Sequence, residues 1–131
     1  MIEPLIIEAT DFTPKILFDP GKSVFLIAGE SRPESAEKFY EPVMKWMEDY
    51  SAELKKSPPK DPITLQMHMD YYNSATARSI IYIFHQLEQA VLTGAKVNVK
   101  WFYMEMDETM KEQGHEFAQI AKDLPFEMQC L

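Results

Sequence analysis

The stretch from Pro62 to Glu105 changes its hydrophobic period twice, and that change restricts the chain to few folds. In PITLQMHMDYY, the apolar residues Ile63, Leu65, Met67, Met69 and Tyr71 alternate with Thr64, Gln66, His68 and Asp70. This two-residue period belongs to a strand with one buried face. Beyond Asn73-Ser74-Ala75-Thr76 the period becomes helical, with Ile80, Ile81, Ile83, Phe84, Leu87, Ala90 and Val91 in a wide apolar stripe that stops at Gly94. KVNVKWFYME returns to a strand, with Val97, Val99, Trp101 and Tyr103 on one side, although Phe102 and Met104 make its second face less polar. Strand, helix and strand in this order imply parallel pairing through a right-handed crossover. Because the first strand alternates instead of being apolar on both faces, helices are expected mainly on one side of the sheet.

The flanking segments extend this unit. PLIIEA, PKILFD and KSVFLIAG are short β-rich runs separated by turn-forming TDFTP and DPGK, which suggests a hairpin or meander opening. From GESRPES onward, Phe39, Val43, Trp46, Met47 and Tyr50 fall at helical spacing. Ser31 and Glu34 have the spacing of a capping box, and Pro33 suits a first turn. Pro42 removes a hydrogen bond inside that helix, so a kink or restart is expected there. DETMKEQGHEFAQIAKDL reads as a helix capped by Asp107, and PFEMQCL as a last short strand. The expected fold class is α/β: a single domain over 1–131 with a mixed β-sheet.

At 131 residues, 46% hydrophobic and 12% aromatic, the chain carries enough apolar surface for a packed core. Its formal charge of −8 repels nucleic-acid phosphates and anionic membrane surfaces. The only lysine cluster, Lys55, Lys56 and Lys60 in KKSPPKDP, reads as a solvated linker. One cysteine, Cys130, excludes an internal disulfide, and no run resembles a membrane span or signal peptide; a soluble cytoplasmic protein is the expectation.

Chemistry-bearing patterns are sparse. Four glycines form neither a Walker loop nor a dinucleotide fingerprint. His68, His85 and His115 lack ligand spacing, so no metal or cofactor is expected. No serine or cysteine lies in a nucleophile motif, and Cys130 reads as a small hydrophobe. Glu34, Glu37, Glu41, Glu48 and Glu53 suit the solvated face of one helix, and the nine methionines are first of all packing residues.

Ser74 is the exception. It stands where a strand ends and a helix begins, a position at which a hydroxyl caps the first turn. The same position suits a covalent phosphate, because free N–H groups and the positive end of the helix dipole face it, with Arg78 one turn on. Local chemistry leaves cap and modification site both open.

The strand-serine-helix junction and the order of elements resemble the STAS domain of anti-sigma-factor antagonists. FTPKI, GESRPES, YYNSATARS, VKWFYMEMDE and LPFEMQ, in this order and spacing, resemble the SiaC family of regulatory phosphoproteins, a STAS-like bacterial family. The resemblance implies a STAS-like, non-catalytic switch, phosphorylated by a partner Ser/Thr protein kinase and dephosphorylated by a metal-dependent Ser/Thr phosphatase. It further implies that the unphosphorylated form activates a diguanylate cyclase in cyclic-di-GMP and biofilm signalling. The family's asparagine falls on Asn73 and its acceptor on Ser74. Serine replaces the threonine of the best-known system, and Ala75 replaces a further hydroxyl, leaving Thr76 as the fallback acceptor. Asn73, Ala75, Thr76 and Arg78 are the expected surroundings of the phosphosite and the partner contact. Two other readings compete. One is an anti-sigma-factor antagonist that binds an anti-sigma kinase. The other is a small enzyme or ligand-binding domain using the polar sheet face of Thr64, Gln66, His68 and Asp70.

Overall fold

The computed structural model describes residues 2–59 and 61–131, so Lys60 of the lysine cluster lies outside the described residues. The element order is β1 (Leu5–Ile7), β2 (Lys15–Asp19), β3 (Val24–Ser31), α1 (Ala36–Lys56), β4 (Ile63–Tyr72), α2 (Ser74–Leu92), β5 (Val97–Tyr103), α3 (Glu108–Ile120) and β6 (Phe126–Cys130). They form a mixed α/β unit with one six-stranded sheet in the order β1-β2-β3-β4-β5-β6. The first three strands pair antiparallel as an N-terminal meander, and β3 to β6 pair in parallel through α1, α2 and α3.

Sequential strand order explains the single helical layer. Each crossover steps the same way across the sheet, and crossovers of one hand stepping one way put every helix on the same face. That face carries the core: Ile16, Phe18, Phe25, Ile27, Leu65, Met67, Val99 and Trp101 are buried beneath Val43, Met47, Ile80, Ile83, Phe84 and Phe117. The opposite face is half-exposed. There Thr64 donates to Asn98 Oδ1 at 2.7 Å, His68 and Gln66 bond at 3.1 Å, and His68 stacks on Phe102 with ring centroids 3.9 Å apart.

Three local expectations are corrected. Ser31 does not cap α1; it is the buried last residue of β3, because the strand runs on past Gly29. Ser35 caps α1 instead, its hydroxyl accepting the Lys38 N–H at 3.3 Å, and Pro33 precedes the helix. Pro42 causes no restart, since α1 is one element from Ala36 to Lys56 with Pro42 on its exposed side. Lastly, Tyr71 does not share the buried face of Ile63 to Met69. The register shifts at Gly29/Glu30, where Gly29 pairs with Met69 and Glu30 with Tyr71, so Asp70 is an extra residue in β4. A bulge of this kind moves every later side chain to the other face. Tyr72 is therefore buried and Tyr71 is 49% exposed.

Candidate functional site

The bulge sets how the chain enters α2. With Tyr72 seated inward, the Asn73 N–H donates to the Ser31 carbonyl at 3.1 Å, which ties the ends of β4 and β3 together. Asn73, in extended backbone geometry at φ −90° and ψ 174°, is the cap of α2. Its Oδ1 accepts the Thr76 N–H at 2.9 Å, and its carbonyl accepts the Ala77 N–H at 3.0 Å. An asparagine here satisfies one of the helix's free N–H donors, the task that Ser74 would otherwise have.

Ser74 is thus the first helical residue rather than the cap. It is exposed, and its hydroxyl makes no hydrogen bond among the described residues. Thr76, two residues on, is wholly buried. Its Oγ1 lies 2.8 Å from Ser31 Oγ and donates to the Ser31 carbonyl at 3.3 Å, while Ser31 Oγ lies 2.8 Å from the Tyr40 hydroxyl. A single donor direction satisfies all three hydroxyls: Tyr40 to Ser31 Oγ, Ser31 to Thr76 Oγ1, Thr76 to the Ser31 carbonyl. Burial pushes the Tyr40 hydroxyl up to about 12, against the opposing pull of the neighbouring Ser31 and Thr76 hydroxyls.

Two grooves flank Ser74. The larger, of about 510 Å³, runs between the first turns of α1 and α2, and Arg78 lines it with Ala75, Ser79, Ser35, Tyr40 and Tyr82. The smaller, of about 280 Å³, lies between α2 and α3; Ser74 lines it with Asn73, Tyr72, Ile81, Glu116 and Phe117. Burial, and then the Glu116 charge, raise the Tyr72 hydroxyl well above the ordinary tyrosine range. Asn73, Ser74 and Thr76 therefore share one turn, whereas Arg78 opens on the other groove.

Sequence reasoning missed Ser31 and Tyr40 as supports of this turn, and Glu116 as its neighbour. Ser31 and Thr76 are 45 positions apart, and no local pattern joins them. The histidines do not converge: His68 is on the open sheet face, His115 is exposed, and His85 pairs with Glu88 at 2.7 Å. Glu88 is buried, and its second oxygen accepts the Asp123 N–H at 3.1 Å, linking α2 to the turn before β6. Among the described residues, no group of three or more His, Cys, Asp or Glu side chains has the arrangement to hold a metal ion, and no helix is long and apolar enough to cross a membrane.

The family model of the SiaC family regulatory phosphoproteins matches residues 7–131. The chain belongs to this family. Its role is accordingly regulatory rather than enzymatic. An uncharacterized protein of Pseudomonas aeruginosa (strain UCBPP-PA14) is 27% identical over 126 residues, covering 96% of this chain and 95% of that one. The crystal structure of apo-SiaC from P. aeruginosa superposes with a TM-score of 0.85 at 26% identity, over 98% of this chain and 99% of that one. SiaC in the crystal structure of the diguanylate cyclase SiaD in complex with its activator SiaC, from the same organism, gives 0.86 at 27% identity, over 97% and 99%. Across the SiaC family match, the described geometry isolates one exposed, unbonded hydroxyl in the first turn of α2.

Proposed function

We propose that this SiaC-family protein is a phosphorylation-controlled switch whose acceptor is Ser74. The observation that carries the reading is the division of tasks at the start of α2: Asn73 caps the helix, Thr76 is locked in the core, and Ser74 alone presents a free hydroxyl. In the forward step a partner Ser/Thr kinase transfers the γ-phosphoryl group of a nucleoside triphosphate. The Ser74 Oγ–P bond forms, the bond to the diphosphate breaks, and the hydroxyl proton leaves. A metal-dependent Ser/Thr phosphatase hydrolyses the ester and restores the hydroxyl. The phosphate adds roughly −1.5 to −2 charge at a helix N-terminus, where the unpaired Ser74 and Ala75 N–H groups and the helix dipole tolerate it.

The unphosphorylated face binds and activates its target. By analogy with P. aeruginosa SiaC, which activates SiaD, that target is a diguanylate cyclase, which places the switch in cyclic-di-GMP signalling. Docking on the α2 first turn sets partner groups against Ser74, so a dianion there blocks the contact without disturbing the core.

Intact-mass analysis after incubation with the cognate kinase tests the acceptor. A single added phosphate is expected on the native chain and none on Ser74→Ala; a gain unchanged by Ser74→Ala overturns the assignment. Ser74→Asp should weaken cyclase binding by roughly tenfold or more, whereas Ser74→Ala preserves it. Equal affinities for the two variants would remove the switch.

A further inference from the structure

A third cavity, of about 340 Å³, opens at the other end of β3 and β4, beside Phe25 near the start of β3 and Ile63 at the start of β4. The ten-residue length of β4 separates it from Ser74 by roughly 30 Å. It is independent of the phosphorylation reading. Phe25, Leu54, Ile63, Pro58 and Pro59 supply apolar walls, and its volume is that of a small-molecule site.

Its polar side chains are the hydroxyls of Ser23, Tyr50 and Ser57 and the carboxylates of Glu53 and Asp61. Tyr50 lines the cavity and is only 6% exposed, with its ring stacked on Trp46 at 4.9 Å. Its hydroxyl has no hydrogen-bond partner among the described residues, in contrast to the bonded Tyr40. No fully buried side-chain oxygen or nitrogen among those residues lacks a partner, so the Tyr50 oxygen must open into the cavity. Burial alone raises this hydroxyl to about 12, so it is neutral and available to accept or donate. The only charged side chains among the described lining residues are the carboxylates Glu53 and Asp61. The last turn of α1, which ends beside Ser57 at the rim, adds the negative end of its dipole. Lys55 and Lys56, on that same turn, do not line the cavity.

We propose that this cavity binds a small monocationic ligand with an apolar body, of the arylalkylammonium class. The apolar part lies between Phe25, Leu54 and Ile63. The ammonium faces Glu53 and Asp61 and donates a hydrogen bond to Tyr50 Oη. The regulatory unit thereby has a second input, at the end of β3 and β4 away from Ser74.

Phenethylammonium is the probe, with phenethyl alcohol and phenylacetate as neutral and anionic counterparts of the same body. Methyl NMR shifts of Leu54 and Ile63 report occupancy in the full chain. The expected result is saturable binding of the cation, about fivefold or more weaker binding of the alcohol, and none of the carboxylate. Tyr50→Phe keeps the walls and should weaken the cation about threefold to tenfold, as should Glu53→Gln on the partly exposed rim. Absence of saturable shifts with all three probes overturns the site. Equal binding of cation and alcohol, or affinities unmoved by both variants, overturns the assigned ligand class.

Discussion

Replacing Gly114 by alanine tests how α3 is seated. Alanine is the better helix former by about 0.8–1.0 kcal/mol, and Gly114 lies in the interior of α3, so propensity alone predicts stabilisation. The packing predicts the reverse. A β-carbon at this position would lie 2.5 Å from Trp101 Cδ1, 2.7 Å from Trp101 Nε1 and 2.8 Å from Met128 Cε. Carbon atoms pack best at about 3.5–4.0 Å, so Trp101 or the helix must retreat by roughly 1 Å. Trp101 has no room: it is fully buried, with Phe117 at 5.3 Å, Tyr72 at 6.2 Å and Phe126 at 6.2 Å between ring centroids. Its Nε1–H also donates to the Met110 carbonyl at 3.0 Å within α3, so moving the helix strains that bond. Overpacking of this kind costs about 1–3 kcal/mol, and a weakened buried N–H bond about 1 kcal/mol more. Set against the propensity gain, the net loss is about 2 kcal/mol. Urea unfolding should show it as a midpoint lowered by roughly 1 M at an unchanged slope. Adding Trp101→Phe, which shortens the obstructing ring, should make the Gly114→Ala penalty smaller than in the native background. A Gly114→Ala protein as stable as the native one, or more stable by the propensity difference, would refute the reasoning.

The same magnitudes apply to two other tests. Thr76→Val keeps the shape but removes the hydroxyl that joins Ser31 Oγ and the Ser31 carbonyl, so denaturant titration should register a loss of about 1–2 kcal/mol. Alkaline titration followed at 295 nm should show Tyr40 and Tyr50 ionising late. Both stand near 12 in the folded chain against an ordinary 10, so the native state holds their protons longer. Their stabilisation is complete below pH 10 and is lost as pH rises from 10 through about 12, with unfolding in that window and a later onset for Tyr40→Phe.

Much of the architecture is legible because period and order are local properties. The alternation of Ile63, Leu65, Met67 and Met69 places the helices on one face, and the three strand-helix-strand steps require parallel pairing. What escapes the pattern is set by neighbours distant in the chain. Tyr71 and Tyr72 are both aromatic, and nothing between them marks which turns inward; the decision lies with Gly29, whose φ of +118° accompanies the register shift on the facing strand. Ser31 has capping-box spacing to Glu34, but β3 continues to it because β4 is long enough to pair with it. Pro42 costs one helical bond on an exposed turn, while Tyr40, Val43, Trp46 and Met47 hold that stretch of α1 to the core.

The site follows the same rule, and its function depends on the part that sequence does not display. A hydroxyl at a strand-to-helix junction ordinarily caps the helix, and a capping hydroxyl is occupied. Here the extra Asp70 turns Tyr72 inward, the Ser31 carbonyl takes the Asn73 N–H, and Asn73 Oδ1 takes the Thr76 N–H. These settings, two of them made with the distant strand β3, shift the cap back by one residue and leave Ser74 with no structural task. A group without a structural task is free to be modified without unfolding the domain. Ser74→Asp is therefore expected to change native stability by no more than about 0.5 kcal/mol in urea while weakening partner binding. A Ser74→Asp protein that loses stability as Thr76→Val does would mean that Ser74 supports the fold, and a reversible modification there would then damage the protein it regulates.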